Sequence, residues 1–517
     1  MLALSLVACS AFNSTVKDYG GEVSSNGGFA VVKGDYVYFV NGTAAYTEDN
    51  AFGKAVKGAI VRVKTADLGK DDAAAEVVVP KIVYTEYRES GSGIFIAGDY
   101  VYYPTPSDKK NNKGETKNTE TEFWRTKLDG TDSRIIATVA DHTTPYRFYE
   151  KNGKVYLTVY VSETEDGSSV NYLETYNEDG ELIKKSGKVA GYDLGAFGSD
   201  KAYYVHTAYN ETLKQDESFN EVYRYAFDGS EDVLVFSGAS GYADPENGIG
   251  TQGATFAIVK NAANALFLSV TFVDTSVETS TVYYAIDHNT VKTSGKDGKS
   301  AAKVNYEALT LLNDGDDNAQ TVFASGSVYV SKDCVIYNDS SYGIVKYDRN
   351  EKDGLSGGLE YLFDDADLKS YTFEYEDGGY MYYSNGGYFY RVDLSDLVDL
   401  TSGATKANAE GKVERLTYKT TFTTGEWFNA EIVGDNMLYM RNDTPYYGYV
   451  YTVGLKDIET KYGKAAAELT DDEISDYIEE LAGTEKADYE AALKKRIGVL
   501  TSADKTALEE YFAANFD

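Results

Sequence analysis

The chain has 517 residues, of which 42% are hydrophobic and 14% aromatic, which is enough apolar material for a large core. Its formal net charge of −34 repels phosphate backbones and anionic lipid head groups, so nucleic acid is not expected as a partner. The two cysteines, Cys9 and Cys334, stand in different sequence contexts, and no disulfide between them is expected.

The N-terminus is an apolar run that ends at Cys9, with no basic residue before it. The sequence Leu6-Val7-Ala8-Cys9 resembles the lipobox of bacterial lipoproteins. That resemblance implies a signal peptide over residues 1–9 with a lipidated Cys9, followed by a tether over residues 10–28. The alternative is an ordinary apolar N-terminus with a buried cysteine. No other apolar run approaches the ~20 residues of a membrane span, so attachment to the membrane would be through the lipid only, on the extracytoplasmic side of a bacterial cell membrane.

One short motif recurs along most of the chain. Residues 34–41 read Gly-Asp-Tyr-Val-Tyr-Phe-Val-Asn, a turn dipeptide followed by an apolar and aromatic run, which predicts a turn into a buried strand. Successive copies lie 46 to 69 residues apart, further than the ~40 to 50 residues of familiar propeller repeats, so the excess is expected in loops. Eight copies are centred on Val37, Val101, Val155, Ala202, Leu266, Val335, Met381 and Met437.

Each copy has apolar runs on both sides. The run that follows often carries a basic or aromatic residue and ends in Asp-Gly, as in Val222-Tyr223-Arg224-Tyr225 before Asp228-Gly229. A fourth run follows in most repeats, and four antiparallel strands per unit is the pattern of a propeller blade.

This repeat resembles the low-density-lipoprotein-receptor-like propeller domains of secreted bacterial proteins, over residues 29–455. In architecture the chain more closely resembles the outer-membrane assembly lipoprotein with an eight-bladed propeller. Only Trp124 and Trp427 are available for the tryptophan pattern of that family, so its partner and role are not carried over. The chain is therefore predicted to be all-β, a β-propeller of about eight four-stranded blades, with seven possible. A strand from residues 15–23 is expected to complete the last blade, because no clear fourth strand follows residues 449–453.

Residues 456–517 lose the strand pattern and gain Ala, Glu and Lys. A capping box at Thr470 to Glu473 and apolar residues at helical spacing predict a small C-terminal α-helical segment. It would either cover blade surface or dock a partner.

Catalytic and metal-binding patterns are weak. His142, His206 and His288 have no ligand spacing, and Cys334 lies in a predicted buried strand. The run Asp314, Asp316, Asn318 resembles the start of a calcium loop but lacks its glycine, so it is a weak metal candidate or a solvated turn. No cofactor is expected.

Function is expected on loops rather than in the sheets. In a propeller, the loops between second and third strands and the links between blades emerge on the same face. Aromatic side chains there could stack on sugar rings or hold a peptide, or else wedge between blades. The candidates on this face are Tyr87, Arg88, His142, Tyr146, Tyr192, Tyr242, Tyr371 and Trp427.

Two functions follow from these patterns. The first is a lipid-anchored, non-catalytic binding or scaffold protein of the bacterial cell surface, with a glycan or an envelope protein as ligand. The alternative is a glycan-active propeller enzyme that uses carboxylates in the central channel. A purely structural spacer is also open.

Overall fold

The computed structural model describes the chain in segments. They are residues 23–24, 29–40, 58–68, 70, 75–83, 93–107, 113, 120–140, 145–195, 199–208, 219–238, 254–261, 265–272, 281–293, 305, 308–311, 328–330, 334–339, 343–350, 354–361, 371–377, 380–385, 388–393, 413–415, 431–433, 436–442 and 447–454. The lipobox, most of the tether and the predicted C-terminal helices lie outside these residues. Within them, no helix is long and apolar enough to cross a membrane.

The described strands form eight antiparallel sheets, each a blade. The first four blades are β2 (Ala30–Lys33), β3 (Tyr36–Val40), β4 (Ile60–Lys64) and β5 (Glu76–Val79); β1 (Val23–Ser24), β6 (Phe95–Ala97), β7 (Tyr100–Pro106), β8 (Thr121–Lys127) and β9 (Arg134–Val139); β10 (Tyr146–Lys151), β11 (Lys154–Glu165), β12 (Ser168–Asn177) and β13 (Leu182–Lys185); and β14 (Gly191–Asp193), β15 (Lys201–Ala208), β16 (Phe219–Ala226) and β17 (Asp232–Ser237).

The other four blades follow the same order. They are β18 (Ala254–Asn261), β19 (Ala265–Phe272), β20 (Thr281–Asp287) and β21 (Thr310–Leu311); β22 (Val328–Val330), β23 (Cys334–Asp339), β24 (Gly343–Asn350) and β25 (Gly354–Tyr361); β26 (Tyr371–Asp377), β27 (Tyr380–Asn385), β28 (Tyr388–Asp393) and β29 (Val413–Arg415); and β30 (Glu431–Val433), β31 (Asn436–Asn442) and β32 (Tyr447–Gly454). One short 3-10 helix, Thr65–Asp67, follows β4. The prediction of an all-β propeller is confirmed.

The repeated motif forms the second strand of every blade. Each of the eight anchor residues is the second residue of its strand, from Val37 in β3 to Met437 in β31. In the first blade, Val37 pairs with Val32 on one side and Val63 on the other, and all three are buried. The motif recurs because each blade needs the same buried residue between its first and third strands.

The N-terminal strand joins a different blade from the one expected. β1 pairs with β6 in the second blade, through Val23 with Ala97 and Ser24 with Ile96, and it does not extend the last blade. Only a few residues separate β1 from β2, so β1 must stay near the first blade, and the first strand of the second blade offers it an edge opposite β7. Among the described residues, the eighth blade has three strands.

The ring closes by side-chain packing. Val433 of β30 and Leu438 of β31 are buried in the same apolar cluster as Phe29 and Phe39 of the first blade. Ile96 of the second blade joins this cluster from the other side. The first blade is therefore covered on both faces, by the eighth blade and by the second, and the apolar contact between the eighth and first blades stabilises the closed ring.

Neighbouring blades are also joined by the turn between the third and fourth strands. In four blades, the residue that directly follows the third strand contacts the preceding blade. Glu178 accepts a hydrogen bond from the Tyr102 hydroxyl at 3.3 Å, Phe227 packs on Tyr149, and His288 stacks on Tyr203. The fourth such residue is Leu128, whose carbonyl accepts a hydrogen bond from Arg62 and whose side chain joins the first-blade cluster.

The same pair of side chains recurs on the blade surfaces that these turns contact. A tyrosine of the second strand stands opposite an arginine of the third in four blades, as Tyr38 with Arg62, Tyr102 with Arg125, Tyr203 with Arg224, and Tyr382 with Arg391. Three of these arginines also lie 4.5 Å over a second tyrosine ring, at the start of the second strand. The arginine found often in the third run of the sequence therefore belongs to the contact between blades.

Closure by packing predicts a large effect at one leucine. Leu438→Ala removes a fully buried side chain from the contact between the eighth and first blades and should cost about 2–5 kcal/mol of unfolding free energy. Leu182→Ala is the matched control, since Leu182 is 48% exposed and its loss should cost about 0.5 kcal/mol or less. Urea unfolding followed by circular dichroism measures both, and equal midpoints for the two variants would contradict closure by this contact.

Candidate functional site

The candidate site lies on the third and fourth blades. It is on the face where the loops between second and third strands and the links between blades emerge, here called the loop-bearing face. In the third blade, the turn between β11 and β12 and the link from β13 to β14 emerge on this face. The turn uses Asp166 and Gly167, both with positive φ, which is the geometry of a tight hairpin. Aromatic side chains of the two blades come together where the blades meet, around one buried apolar cluster. The set Tyr160, Tyr192, Tyr223 and His206 is here called the tyrosine groove.

The link from β13 to β14, which leads into Tyr192, is held by both blades. On the third-blade side, the Ser186 amide bonds the Leu173 carbonyl at 2.9 Å and the Val189 amide bonds the Asn171 carbonyl at 2.8 Å. On the fourth-blade side, the Ala190 amide donates to the Val205 carbonyl at 2.8 Å. These bonds fix the position of Tyr192, which lies two residues further on.

Tyr160 and Tyr192 form a stacked pair across the two blades. Their ring centroids are 4.4 Å apart and their planes differ by 23°. Tyr160 comes from β11 and Tyr192 from β14, and both side chains are half-buried. Burial raises the pKa of Tyr160, so its hydroxyl stays protonated and can both donate and accept hydrogen bonds.

A second aromatic group continues the groove within the fourth blade. Tyr204 and Tyr223 stack with centroids 5.2 Å apart, and His206 meets the Tyr223 ring edge-on at 6.0 Å. The Nδ1 atom of His206 lies 2.8 Å from the Lys188 carbonyl. A carbonyl only accepts, so Nδ1 carries the proton, and in the neutral ring Nε2 is an acceptor.

Asp232 is hydrogen-bonded to this second aromatic group. The Tyr204 hydroxyl donates to its carboxylate at 2.8 Å, and the Lys184 ammonium lies 3.9 Å away. Burial raises the pKa of Asp232 above its ordinary value, although the bond from Tyr204 works in the opposite direction. The carboxylate that accepts the hydrogen bond from Tyr204 is therefore protonated more readily than the carboxylate of a solvent-exposed aspartate.

A buried arginine joins the first strands of the same two blades. Arg147 of β10 donates to the carbonyls of Leu194, at 3.3 Å, and of Gly195. Burial lowers the pKa of Arg147 to about 10, which still leaves it charged at neutral pH, and the charge of Asp193 favours that form. The Asp193 carboxylate also accepts from the Gly195 and Asn261 amides at 2.7 and 2.8 Å, so this acidic side chain ties the fourth blade to the fifth.

The predicted site residues fall into four groups. Tyr192 lies in the tyrosine groove. Tyr146 is 2% exposed, packs against Phe123 and Phe148, and donates to the Gly93 carbonyl at 3.1 Å, so its ring wedges between blades. Tyr371 begins β26, and only its backbone is described. The remaining candidates lie outside the described residues and stay predictions: Cys9, Tyr87, Arg88, His142, Tyr242, Trp427, Asp314, Asp316 and Asn318.

Sequence reasoning missed Tyr160, Tyr223 and His206 as groove residues. Tyr223 lies inside a predicted third strand, Tyr160 follows a predicted second strand, and His206 was weighed only as a metal ligand. The signal that could have found Tyr160 is the alternation on both sides of Asp166-Gly167, which marks a hairpin much longer than the others. In the described part of the chain, no three His, Cys, Asp or Glu side chains are grouped to hold a metal ion.

The comparisons with known proteins concern the fold. No family model matches the chain, and no curated protein matches it. Among solved structures, it is similar to the β-propeller domain of the Trilobed protease from Pyrococcus furiosus, at 12% identity and a TM-score of 0.36, over 79% of this chain and 100% of that one.

Two further structures carry enzymatic names. The acylaminoacyl peptidase of Pyrococcus horikoshii is 12% identical with a TM-score of 0.34, over 69% of this chain and 49% of that one. The alpha-L-arabinofuranosidase of Lactobacillus brevis is 11% identical with a TM-score of 0.21, over 51% of this chain and 91% of that one. At these identities and TM-scores the comparisons carry no statement about function. The order of the eight antiparallel sheets itself makes the chain a β-propeller.

The raised pKa of Asp232 predicts a pH-dependent effect. A raised pKa in the folded state means that stability present below about pH 4 is lost as pH rises through the raised value. Asp232→Asn keeps an acceptor for Tyr204 but cannot ionise, so it escapes this loss of stability. The melting temperature of the variant minus that of wild type should therefore increase from pH 4 to pH 7.

Asp228→Asn is the control of opposite sign. Burial acts to raise the pKa of Asp228, but hydrogen bonds from Lys151 and Ser230 outweigh it and lower the pKa below its ordinary value. Stability from Asp228 is therefore present above about pH 4 and lost in acid, so this variant should fall below wild type at pH 7 and approach it at lower pH. If the melting temperatures of both variants, each taken relative to wild type, change with pH in the same direction between pH 4 and pH 7, the account of Asp232 is contradicted.

Proposed function

We propose that this propeller is a non-catalytic binding or scaffold protein of the bacterial cell surface, held to the membrane by a lipid on Cys9. Its ligand, a glycan or an envelope protein, binds on the face that carries the tyrosine groove. The observation that carries the proposal is the stacked pair Tyr160–Tyr192, which is half-buried on the face where propeller loops emerge.

The groove suits recognition for two reasons. Tyrosine offers a flat apolar ring for stacking and a hydroxyl for hydrogen bonding, with few rotatable bonds to order on binding. The link that places Tyr192 is bonded to both blades, so the site is largely formed before a ligand arrives. The net charge of −34 favours uncharged or basic ligands over anionic ones.

The anchoring part of the proposal is tested by fractionation. In a bacterial host with lipoprotein processing, the wild-type chain should be recovered with membranes and should incorporate a labelled fatty acid. Cys9→Ser should lose both properties, whereas Cys334→Ser, the only other cysteine change available, should retain both. Wild-type protein without the label would contradict lipid anchoring and leave the binding proposal to its own test.

The binding part is tested on a glycan array and by capture of envelope proteins on immobilised chain. Tyr192→Ala should reduce the signal of any ligand found by about tenfold, because a stacking ring contributes on the order of 1–2 kcal/mol. Tyr100→Ala is the control, since Tyr100 begins β7 at the opposite face and its hydroxyl bonds Asp132. A ligand whose binding responds equally to both changes would place recognition outside the tyrosine groove.

A further inference from the structure

One hairpin extends well beyond the rest of the propeller. β11 has 12 residues and β12 has 10, whereas no other described strand exceeds 8. β10 pairs with β11 only as far as Val159, and β13 pairs with β12 only from Glu174 onward. Residues 162–171 therefore form a two-stranded ribbon on the loop-bearing face, next to the Tyr160–Tyr192 stack.

The two sides of this ribbon differ in chemistry. Residues directly opposite in the pairing share a side, and Tyr160 with Leu173 marks the side that faces the fourth blade. On that side, the next pairs are Ser162 with Asn171 and Thr164 with Ser169, and none carries a charge. The two serines also contact each other, with hydroxyl oxygens 2.8 Å apart.

The other side of the ribbon carries the charges. Glu163 pairs with Val170 and Glu165 with Ser168. Each of the two carboxylates is paired with a lysine, Glu163 with Lys185 at 2.7 Å and Glu165 with Lys188 at 2.8 Å, and Lys185 also contacts Glu174 at 3.3 Å. In a chain with a net charge of −34, the fourth-blade side is thus an exposed strip with hydroxyls and an amide and no formal charge.

We propose that this uncharged strip and the Tyr160–Tyr192 pair together bind an uncharged oligosaccharide. The inference rests on the proposed function and names the ligand class of the same site. Hydroxyl and amide groups both donate and accept hydrogen bonds, as sugar hydroxyls do, and the apolar face of a sugar ring packs on tyrosine.

The dimensions and charge of the strip support this choice. From Tyr160 to Thr164 the strip runs roughly 13 Å at the rise of a β-strand, the length of a short oligosaccharide. A basic ligand would find no carboxylate on this side, and the negative charge of the whole chain disfavours an anionic one. The tight turn and the bond between the two serines hold the strip in shape before binding.

Two adjacent serines provide a matched test. Ser169→Glu places a carboxylate and extra bulk on the strip, whereas Ser168→Glu makes the same change one residue away on the opposite side, and both positions are exposed. The probes are hexaoses of glucose, xylose and mannose, with oligogalacturonate, a chitosan oligomer and a basic peptide as charged alternatives, all measured by titration calorimetry. At least one neutral hexaose should bind wild type, Ser169→Glu should weaken it by about tenfold or more, and Ser168→Glu by less than about twofold.

The stacking contribution is separated by two changes at one position. Tyr192→Ala should weaken the same hexaose by about tenfold, and Tyr192→Phe should largely restore binding because it keeps the ring. This pair remains informative even where Ser169→Glu disturbs the hairpin.

The outcomes separate this inference from the proposed function. Binding of only the charged probes, or of an envelope protein, with loss in Tyr192→Ala, would overturn the uncharged ligand and leave a binding role intact. If Ser169→Glu and Ser168→Glu weaken the binding of a neutral hexaose equally, the uncharged strip is not the binding site. Failure of every probe and of envelope-protein capture would overturn both.

Discussion

The structure depends on the burial of both faces of every blade by its neighbours. A single four-stranded sheet of this length cannot bury its own apolar surface, so each blade is stable only between two others. The first blade shows this most clearly, because Leu438 of the eighth blade and Ile96 of the second meet in its core. Turns inserted into the preceding blade, such as that of Phe227, add a contact that a flat sheet face cannot provide.

Much of this architecture follows from the sequence. The anchor residues predicted each blade because a buried second strand needs the same turn and the same apolar residue every time, and Val37 to Met437 all occupy the same strand position. The pairing of β1 could not be predicted, since a strand as short as Val23–Ser24 has no alternation to read and its partner is decided by the nearest unpaired edge.

The candidate site was only partly predictable. Tyr192 was expected on the loop-bearing face, where it lies in the tyrosine groove. Tyr146 was expected there too, but its ring fills the space between blades, because a tyrosine at the start of a first strand can turn either toward the groove or into the core. Tyr160 was hidden within a strand, and only the length of the hairpin shows that its strand continues past the sheet.

The proposed ligand site lies where the third and fourth blades are held together. Arg147 and the hydrogen-bonded link fix the third blade against the fourth, and the uncharged strip projects from that fixed point. The central claim, that this strip and the tyrosine groove form the ligand site, is tested most directly by hydrogen exchange of the full chain with and without a bound neutral hexaose. The account predicts slower exchange confined to residues 160–171 and 186–193, with residues 129–139 of the second blade unchanged. Slower exchange elsewhere on the propeller, with none in these two segments, would contradict it.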